Sequence, residues 1–569
     1  MTDETATPPT YDDLLARARE ERWVERLHAR DASLWSGDPD VQVTIAQRLG
    51  WLDAPVHFHE EIGPLEAFGE AARDAGYRSA VVAGMGGSSL APDVLRRTFG
   101  DGGDWLTLRI LDSTDPAAVA ATVDDLYPLE TLFIVATKSG ITAEPLAFQA
   151  DAWERIEKSL AATHQHEAHP GDFMILVTDP ERSLQAIPHH DEVREVFLNP
   201  PDIGGRYSAL TYVGLLPASL IGLDLDPLLG SARRMLDACH AKDPAANPGF
   251  ELGLTLGANA LAGRDKLTFV ADPEIAAFGA WAEQLVAEST GKHGVGIVPI
   301  DLEPLGNLDR YGPDRLFVRL ALADSAGPAT APDGTTADGL LTALEAAGHP
   351  VIRIALDDPM DIGGEFVRWE IASAMAGKVL GIDPFDQPNV EEAKEHTRRA
   401  LAHHEDGGGT DTGARLEGAV LADAPNLAAA LRTHLAALRP NGYAALQAFI
   451  APSEGRDGAL ARIRLLLRDA TRRATTAGYG PRFLHSTGQL HKGGAPIGWF
   501  LQLTADHPHD RPIPGKPYTF GELIDAQAAG DLAALRAHDL PVLRVHLGPD
   551  PDAGLAALEA ALAVALLEG

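Results

Sequence analysis

Short apolar runs alternate with helix-like segments along the first third of the chain. Four runs predict strands because they are rich in β-branched residues and are bounded by turn residues. They are SAVVAG at 79–84, LTLRIL at 106–111, TLFIVAT at 131–137 and FMILVTD at 173–179. Near-continuous apolar strands with helical connections are typical of a parallel, doubly wound sheet. The pattern therefore predicts an α/β fold.

The same alternation starts again after a helical stretch near 226–262. The later apolar runs are LTFVAD (267–272), VGIVPID (295–301), LFVRLAL (316–322), VIRIAL (351–356), YAALQAFI (443–450), WFLQLT (499–504) and VLRVHL (542–547). A loop-rich insert, EDGGGTDTGARLEG, interrupts this half at 405–418. We therefore expect two α/β units of similar type, with a helical segment at each end of the chain.

The charge balance narrows the range of partners. The 569 residues include 82 Asp and Glu against 47 Lys and Arg, a net charge of −35. Such a surface repels nucleic acid and anionic membrane, so we expect neither as a partner. An anionic substrate would need a few local cations.

Cysteine usage and the N-terminus indicate the compartment. Cys239 is the one cysteine, so no intrachain disulfide can form and a reducing compartment is expected. It lies in a helical pattern, which predicts a buried, inert thiol. The acidic start MTDETATPPTYDD is unlike a signal peptide, and no apolar run approaches the roughly 20 residues of a membrane span. We expect a cytoplasmic protein.

Two turns that follow predicted strands could hold an anion. In VVAGMGGSSLAPDVL, Gly87 and Ser88 lie where a strand passes into a helix. The run lacks the third glycine of a dinucleotide fingerprint, and a tight turn with a serine cap is the alternative. In FIVATKSGITAEPL, an ammonium and three hydroxyls precede a helix start, a pattern typical of a phosphate cradle. These residues are Thr137, Lys138, Ser139 and Thr142.

Two further stretches carry charged candidates. In GGRYSALT, Arg206 follows two glycines, which suits a fixed cation in a cleft, although an ordinary surface arginine is the alternative. In WAEQLVAESTGKHG, Gln284 and Glu288 are four residues apart and share a helix face. A carboxylate near a helix C-terminus is disfavoured by the dipole, so Glu288 calls for a functional reason. The STGKH segment lacks the glycine spacing of a P-loop, and we reject that interpretation.

The last two motifs bear a lysine and two histidines. In GIDPFDQPNVEEAK, Gln387 suits a helix cap and Lys394 lies about two turns later. In FLHSTGQLHKGG, His485 and His491 share one short loop. None of the histidines of the chain pairs with cysteines or an HExxH pattern, so we expect no metal site.

Together these stretches resemble the glucose-6-phosphate isomerase (phosphoglucose isomerase) family from about residue 30 onward. The likeness is greatest to the isomerase half of bifunctional transaldolase–isomerase fusions, through GGRYSALT, AESTGK, FDQP and LHSTGQLHKGG. It implies two sugar-isomerase (SIS), flavodoxin-like domains and a homodimer. We expect a helical arm at 1–55, a first domain at 56–240 and a second at 241–569. No transaldolase or Schiff-base chemistry is implied.

The resemblance also implies a substrate and a binding set. Glucose 6-phosphate and fructose 6-phosphate would interconvert through ring opening and a cis-enediolate, with no cofactor. The phosphate would bind Thr137, Lys138, Ser139 and Thr142, with Gly87 and Ser88 near the sugar. Gln284 and Gln387 would orient hydroxyls or the phosphate.

The resemblance assigns the chemical steps to four residues. Glu288 would move the proton between C2 and C1, and Arg206 would stabilise the enediolate, roles that suit a carboxylate base and a fixed cation. Lys394 and a histidine would open the ring. In the commoner family pattern that histidine precedes the lysine motif, whereas LHSTGQ follows Lys394 here. We therefore assign ring opening to His485, with His491 as the alternative.

Two other functions fit the same motifs. A dual isomerase that also accepts mannose 6-phosphate would differ at few pocket positions. A SIS-type sugar-phosphate sensor would bind without catalysis, and it would lack the base and the ring-opening pair.

Overall fold

The computed structural model describes residues 7–100, 102–165, 167–328, 330–389, 395, 397–398, 401, 416 and 418–567. Within these ranges the helices are Tyr11–Glu20, Trp23–His28, Pro39–Ala46, Ala54–His57, Ile62–Asp74, Gly87–Phe99, Pro116–Val123, Ala143–Ala162, Arg182–Gln185, Tyr212–Leu220, Leu225–Ala238, Pro248–Leu261, Phe278–Thr290, Ala337–Ala346, Ile362–Leu380, Leu427–Leu435, Glu454–Thr471, Gly488–Gly493, Phe520–Ala537 and Pro551–Leu567.

The first sheet has five parallel strands in the order β2-β1-β3-β4-β5. They are β1 (Ser79–Gly84), β2 (Thr107–Leu111), β3 (Thr131–Ala136), β4 (Met174–Thr178) and β5 (Glu195–Leu198). This is the flavodoxin-like order, whose direction reverses beside β1. The central strands β3 and β4 are buried along their whole length, which matches their continuous apolar sequences.

The region predicted as one second domain contains two parallel sheets. One has the order β7-β6-β8-β9, formed by β6 (Lys266–Ala271), β7 (Val298–Ile300), β8 (Arg315–Leu322) and β9 (Val351–Leu356). The other has the order β10-β14-β13-β11-β12, formed by β10 (Ala419–Leu421), β11 (Tyr443–Phe449), β12 (Ala474–Tyr479), β13 (Gly498–Thr504) and β14 (Val542–His546). The prediction of an α/β fold with parallel, doubly wound sheets is confirmed. The structure has three such sheets, whereas the sequence predicted two α/β units.

Side chains join the edges of these two sheets. Glu303, just after β7, accepts hydrogen bonds from the backbone N–H (2.9 Å) and the hydroxyl (2.7 Å) of Thr475 in β12. The Glu303 carboxylate also accepts two hydrogen bonds from Arg315 Nη2, at 2.8 and 3.0 Å, and both side chains are buried. Burial alone would raise the pKa of Glu303, but nearby arginines, led by Arg315, outweigh it and hold that pKa below its ordinary value.

The largest hydrophobic cluster links the first two sheets, and a smaller one joins β7 of the second sheet to β11, β12 and β13 of the third. One continuous cluster of buried side chains includes residues of β1, β3, β4, β6 and β8. The third sheet packs its own cluster against Glu454–Thr471 and Pro551–Leu567. Cys239 is buried as predicted, and burial raises the pKa of its thiol to about 11. No helix within the described ranges is long and apolar enough to cross a membrane.

Candidate active site

A cavity of about 380 Å³ opens at the carboxyl ends of β1 and β3. These strands pair in register, with Gly84 opposite Ala136, so the turns that follow them begin at the same level. Ligands of open α/β sheets bind where the strand order reverses, and the cavity occupies that place. Eleven of the twelve predicted site residues line it, namely Gly87, Ser88, Thr137, Lys138, Ser139, Thr142, Arg206, Gln284, Glu288, Gln387 and His485. The twelfth, Lys394, lies outside the described residues.

The glycine-rich turn after β1 is packed too tightly for side chains. Gly86 has a φ of +56°, and a Cβ there would lie 2.6 Å from the carbonyl oxygen of His485. A Cβ on Gly87 would lie 1.9 Å from the carbonyl oxygen of Gly205. Glycine therefore lets three segments approach one another: this turn, the arginine-bearing turn Gly205–Tyr207 and the histidine loop.

The turn after β3 presents hydroxyls and a helix start. Thr137 and Thr142 lie 3.2 Å apart through their hydroxyl oxygens, and Thr142 caps the helix Ala143–Ala162 without a side-chain bond to its N–H groups. Lys138 donates to a carboxylate oxygen of Asp179 at 2.5 Å and to the Pro201 carbonyl at 2.9 Å. Burial lowers the pKa of Lys138 and raises that of Asp179. Uncapped helix N–H groups beside hydroxyls suit an anion.

Arg206 and Glu288 face each other at the other end of the cavity. Arg206 Nη1 lies 3.3 Å from Glu288 Oε1, and both side chains are almost fully buried. Gln284 donates to Glu288 Oε2 at 3.1 Å and to the His485 carbonyl at 2.8 Å. The amide of Gln284 thereby connects the carboxylate to the histidine loop. The arrangement provides one fixed carboxylate next to one fixed cation.

Two buried cations hold the loop that carries Gln387. Arg206 donates to Gln387 Oε1 at 3.2 Å and to the Pro384 carbonyl at 2.6 Å. Lys292 donates to the carbonyl and a carboxylate oxygen of Asp386 at 2.6 and 2.7 Å. Burial, aided by repulsion from Arg206, lowers the pKa of Lys292 to about 8. The sequence marked the STGK segment as a family motif but gave Lys292 no role, and this contact was missed.

The two histidines of the FLHSTGQLHKGG loop have different surroundings. His485 lines the cavity, and its Nε2 lies 2.9 Å from Oε1 of Glu144. His491 is buried among Tyr443, Phe483 and Phe500, and burial drives its pKa well below the ordinary value.

Glu144 is a residue that sequence reasoning missed. It lies in the first turn of the helix that follows the hydroxyl-rich turn, and its side chain reaches the histidine loop 341 residues away. Gln527 donates to the same Glu144 oxygen at 2.7 Å and accepts a bond from Thr114 at 2.6 Å. Its position two residues after Thr142, in a predicted phosphate-binding turn, was the one signal in the sequence. Its partners His485 and Gln527 are brought to it only by the fold.

Other residues line the cavity although the sequence did not mark them as site residues. They are Arg48, Met85, Gly86, Ala136, Asp179, Ser183, Gly204, Gly205 and Phe385. Within the described part of the chain, no three His, Cys, Asp or Glu side chains form a group that could hold a metal ion.

Comparisons with known proteins show the family to which this chain is similar. The family model of phosphoglucose isomerase matches residues 18–297. A glucose-6-phosphate isomerase of Rubrobacter xylanophilus is 30% identical over 381 residues, which cover 58% of this chain and 83% of the relative. One of Carboxydothermus hydrogenoformans is 29% identical over 413 residues, which cover 62% of this chain and 85% of the relative.

Solved structures share the fold. A hypothetical protein of Thermus thermophilus is similar with a TM-score of 0.56 and 25% identity, over 69% of this chain and 97% of the other. A glucose-6-phosphate isomerase of Chlamydia trachomatis is similar with a TM-score of 0.53 and 18% identity, over 71% of this chain and 88% of the other. At that identity the second likeness concerns the fold alone. From the sequence relatives, this chain belongs to the phosphoglucose isomerase family.

Proposed function

We infer that this chain is an aldose–ketose isomerase that interconverts glucose 6-phosphate and fructose 6-phosphate. Membership of the family supports the reaction. The observation that carries the chemistry is the buried pair of Glu288 and Arg206, 3.3 Å apart in a cavity whose other end is a hydroxyl-rich helix start. Carboxylate and guanidinium suit proton transfer and the charge it creates.

We propose that the turn after β3 binds the phosphate of the substrate. The hydroxyls of Thr137, Ser139 and Thr142 and the first N–H groups of the helix Ala143–Ala162 can donate to its oxygens. Gly87 and Ser88 also line the cavity, where the turn after β1 packs against the backbone of Gly205, and we propose that they lie near the sugar. The phosphate thereby fixes the sugar carbons relative to Glu288.

In the proposed isomerisation, Glu288 removes the proton from C2 of the open-chain aldose as the C1 carbonyl oxygen gains negative charge. The electrons of the broken C–H bond form the C1=C2 bond of a cis-enediolate. Glu288 then returns a proton to C1 on the same face, and the C2 oxygen becomes the ketone after its hydroxyl proton passes to the C1 oxygen. Arg206 supplies the fixed positive charge for the enediolate. Gln284 orients Glu288 by its 3.1 Å hydrogen bond.

We propose that His485 transfers protons in ring opening. A carboxylate only accepts hydrogen bonds, so the contact with Glu144 places a proton on His485 Nε2 and leaves Nδ1 for exchange with the substrate. The resemblance gives Lys394 a part in the same step and gives Gln387 a part in binding. Gln387 is held at the cavity by Arg206.

A homodimer and a cytoplasmic location stay proposals that rest on the resemblance and on cysteine usage. A dual isomerase that also accepts mannose 6-phosphate is the alternative within the same chemistry. The buried carboxylate of Glu288 and the imidazole of His485, which is paired with Glu144, both line the cavity, and this favours catalysis over a sensor that only binds.

A coupled assay tests the proposed function. Fructose 6-phosphate is supplied, glucose 6-phosphate is detected by a dehydrogenase, and EDTA is present throughout. We expect turnover by the wild-type chain. Tight sugar-phosphate binding without turnover would favour the sensor instead.

A further inference from the structure

The charged side chains of the cavity wall are unequally paired. Among the described residues, three cations and two carboxylates line the cavity. Lys138 pairs with Asp179 at 2.5 Å, and Arg206 lies 3.3 Å from Glu288. Arg48 forms no ion pair within 4.0 Å in the described part of the chain. The wall therefore carries one positive charge that no carboxylate neutralises at contact distance, in a chain of net charge −35.

Arg48 lies at the phosphate-binding end of the cavity. Its Nη1 is 3.5 Å from the carbonyl oxygen of Pro201, and Lys138 donates to that same oxygen at 2.9 Å. The shared carbonyl places Arg48 beside the turn after β3 rather than beside Glu288. A bond of 3.5 Å is long and weak, so this contact leaves the donors of the guanidinium largely available.

The backbone around Arg48 is fixed although its side chain is only half-buried. Arg48 follows the helix Pro39–Ala46, and the next two residues are buried. Gly50 donates its N–H to the Asp202 carbonyl at 3.1 Å, and the Asp202 carboxylate packs so closely on Gly50 that a Cβ there would clash at 2.3 Å. The N-terminal arm thus holds Arg48 against the segment that leads to the arginine-bearing turn.

We propose that Arg48 is the cation that binds the phosphate dianion of the substrate, supplied to the site by the N-terminal arm. Lys138 directs its ammonium to Asp179 and Pro201, so its charge is already compensated. A guanidinium stays charged at all working pH values and matches two phosphate oxygens at once. It also gives a strongly acidic protein a local attraction for an anion. The identity of the sugar rests on the proposed isomerase function; the binding of phosphate does not.

Calorimetric titration of the full chain with inorganic phosphate tests the proposal without catalysis. The variants are Arg48→Gln, Arg48→Lys and the control Arg17→Gln, which removes one positive charge from an exposed arginine of the same arm. We expect Arg48→Gln to weaken phosphate binding by about tenfold to a hundredfold, as for loss of a charge-assisted hydrogen bond. Arg48→Lys should lose less phosphate affinity than Arg48→Gln, and Arg17→Gln should bind phosphate as tightly as wild type does.

Steady-state kinetics supply the second readout. For Arg48→Gln we expect KM for fructose 6-phosphate to rise by a similar factor with kcat within about threefold of wild type. Equal phosphate affinity in Arg48→Gln and wild type, no phosphate binding by wild type, or an equal loss in Arg17→Gln would each overturn the proposal. A wild-type chain that binds phosphate but does not turn over would contradict the isomerase function alone.

Discussion

The pair of His485 and Glu144 gives a prediction that separates ring opening from isomerisation. The substitution Glu144→Gln keeps the shape of the side chain and removes its charge. In the wild type, His485 and Gln527 both direct a nitrogen at Glu144 Oε1, at 2.9 and 2.7 Å. The neutral amide can still accept a bond, but the bond is no longer one to a charged acceptor.

The size of the effect follows from the burial of the pair. The side chains of His485 and Glu144 are 15% and 10% exposed, so solvent screens their interaction little. A hydrogen bond to a charged group contributes about 1.5–3 kcal/mol. If ring opening alone uses this energy, kcat/KM for a cyclic hexose phosphate should fall roughly 10- to 150-fold.

The assay compares a cyclic substrate with one that cannot form a ring. A tetrose 4-phosphate stays open because its terminal oxygen carries the phosphate. Glu144→Gln should lower kcat/KM for fructose 6-phosphate and leave that for the tetrose phosphate within about threefold. The control is Glu157→Gln, an exposed glutamate of the same helix. An equal loss on both substrates, or no loss on either, would refute the assignment of the pair to ring opening.

Two further predictions concern the histidine loop and the junction between sheets. His485→Ala should lower kcat/KM for the cyclic substrate about 10²- to 10⁴-fold. Adding Glu144→Gln to this variant should cause little further loss, because the two side chains act as a unit. Additive losses in the double variant would contradict this. Glu303→Gln should destabilise the fold by about 3–5 kcal/mol near neutral pH, because it leaves Arg315 without its buried partner. Since the folded-state pKa of Glu303 is lowered, this stability is present above the ordinary carboxyl pKa and disappears as pH falls through the folded value. Thermal unfolding of wild type and Glu303→Gln should therefore show a difference in stability that shrinks as the pH is lowered. A difference that stays constant with pH would be inconsistent with the ion pair.

The sequence predicted strands best where they form continuous apolar runs of five or more residues, at sheet edges as well as in sheet centres. The predictions of β1 and β9 match their bounds, and those of β3 and β11 agree to within one residue. Sequence reasoning missed β12, whose run ATTAGY is built of small and polar residues, and the edge strands β5 and β10. β5 and β10 are apolar but only four and three residues long, and all three strands are held by pairing with neighbours distant in sequence.

The same distinction applies to the site. Residues within glycine-rich or hydroxyl-rich turns could be found because local chain geometry brings them together. Arg48 and Glu144 could not, since each meets its surroundings only after distant segments have packed. Lys292 lay in a recognised stretch, but its partner Asp386 is 94 residues away.

The most direct test of the central claim is proton exchange by Glu288→Gln. Fructose 6-phosphate is incubated in deuterated water with wild type and variant, and label at C1 and C2 is followed by NMR, while calorimetry with inorganic phosphate checks the binding site. We expect the variant to lose carbon exchange by about 10²- to 10⁴-fold, as for removal of a general base, and to bind phosphate within about threefold of wild type. Exchange that persists in a variant with intact phosphate binding would show that another group is the base.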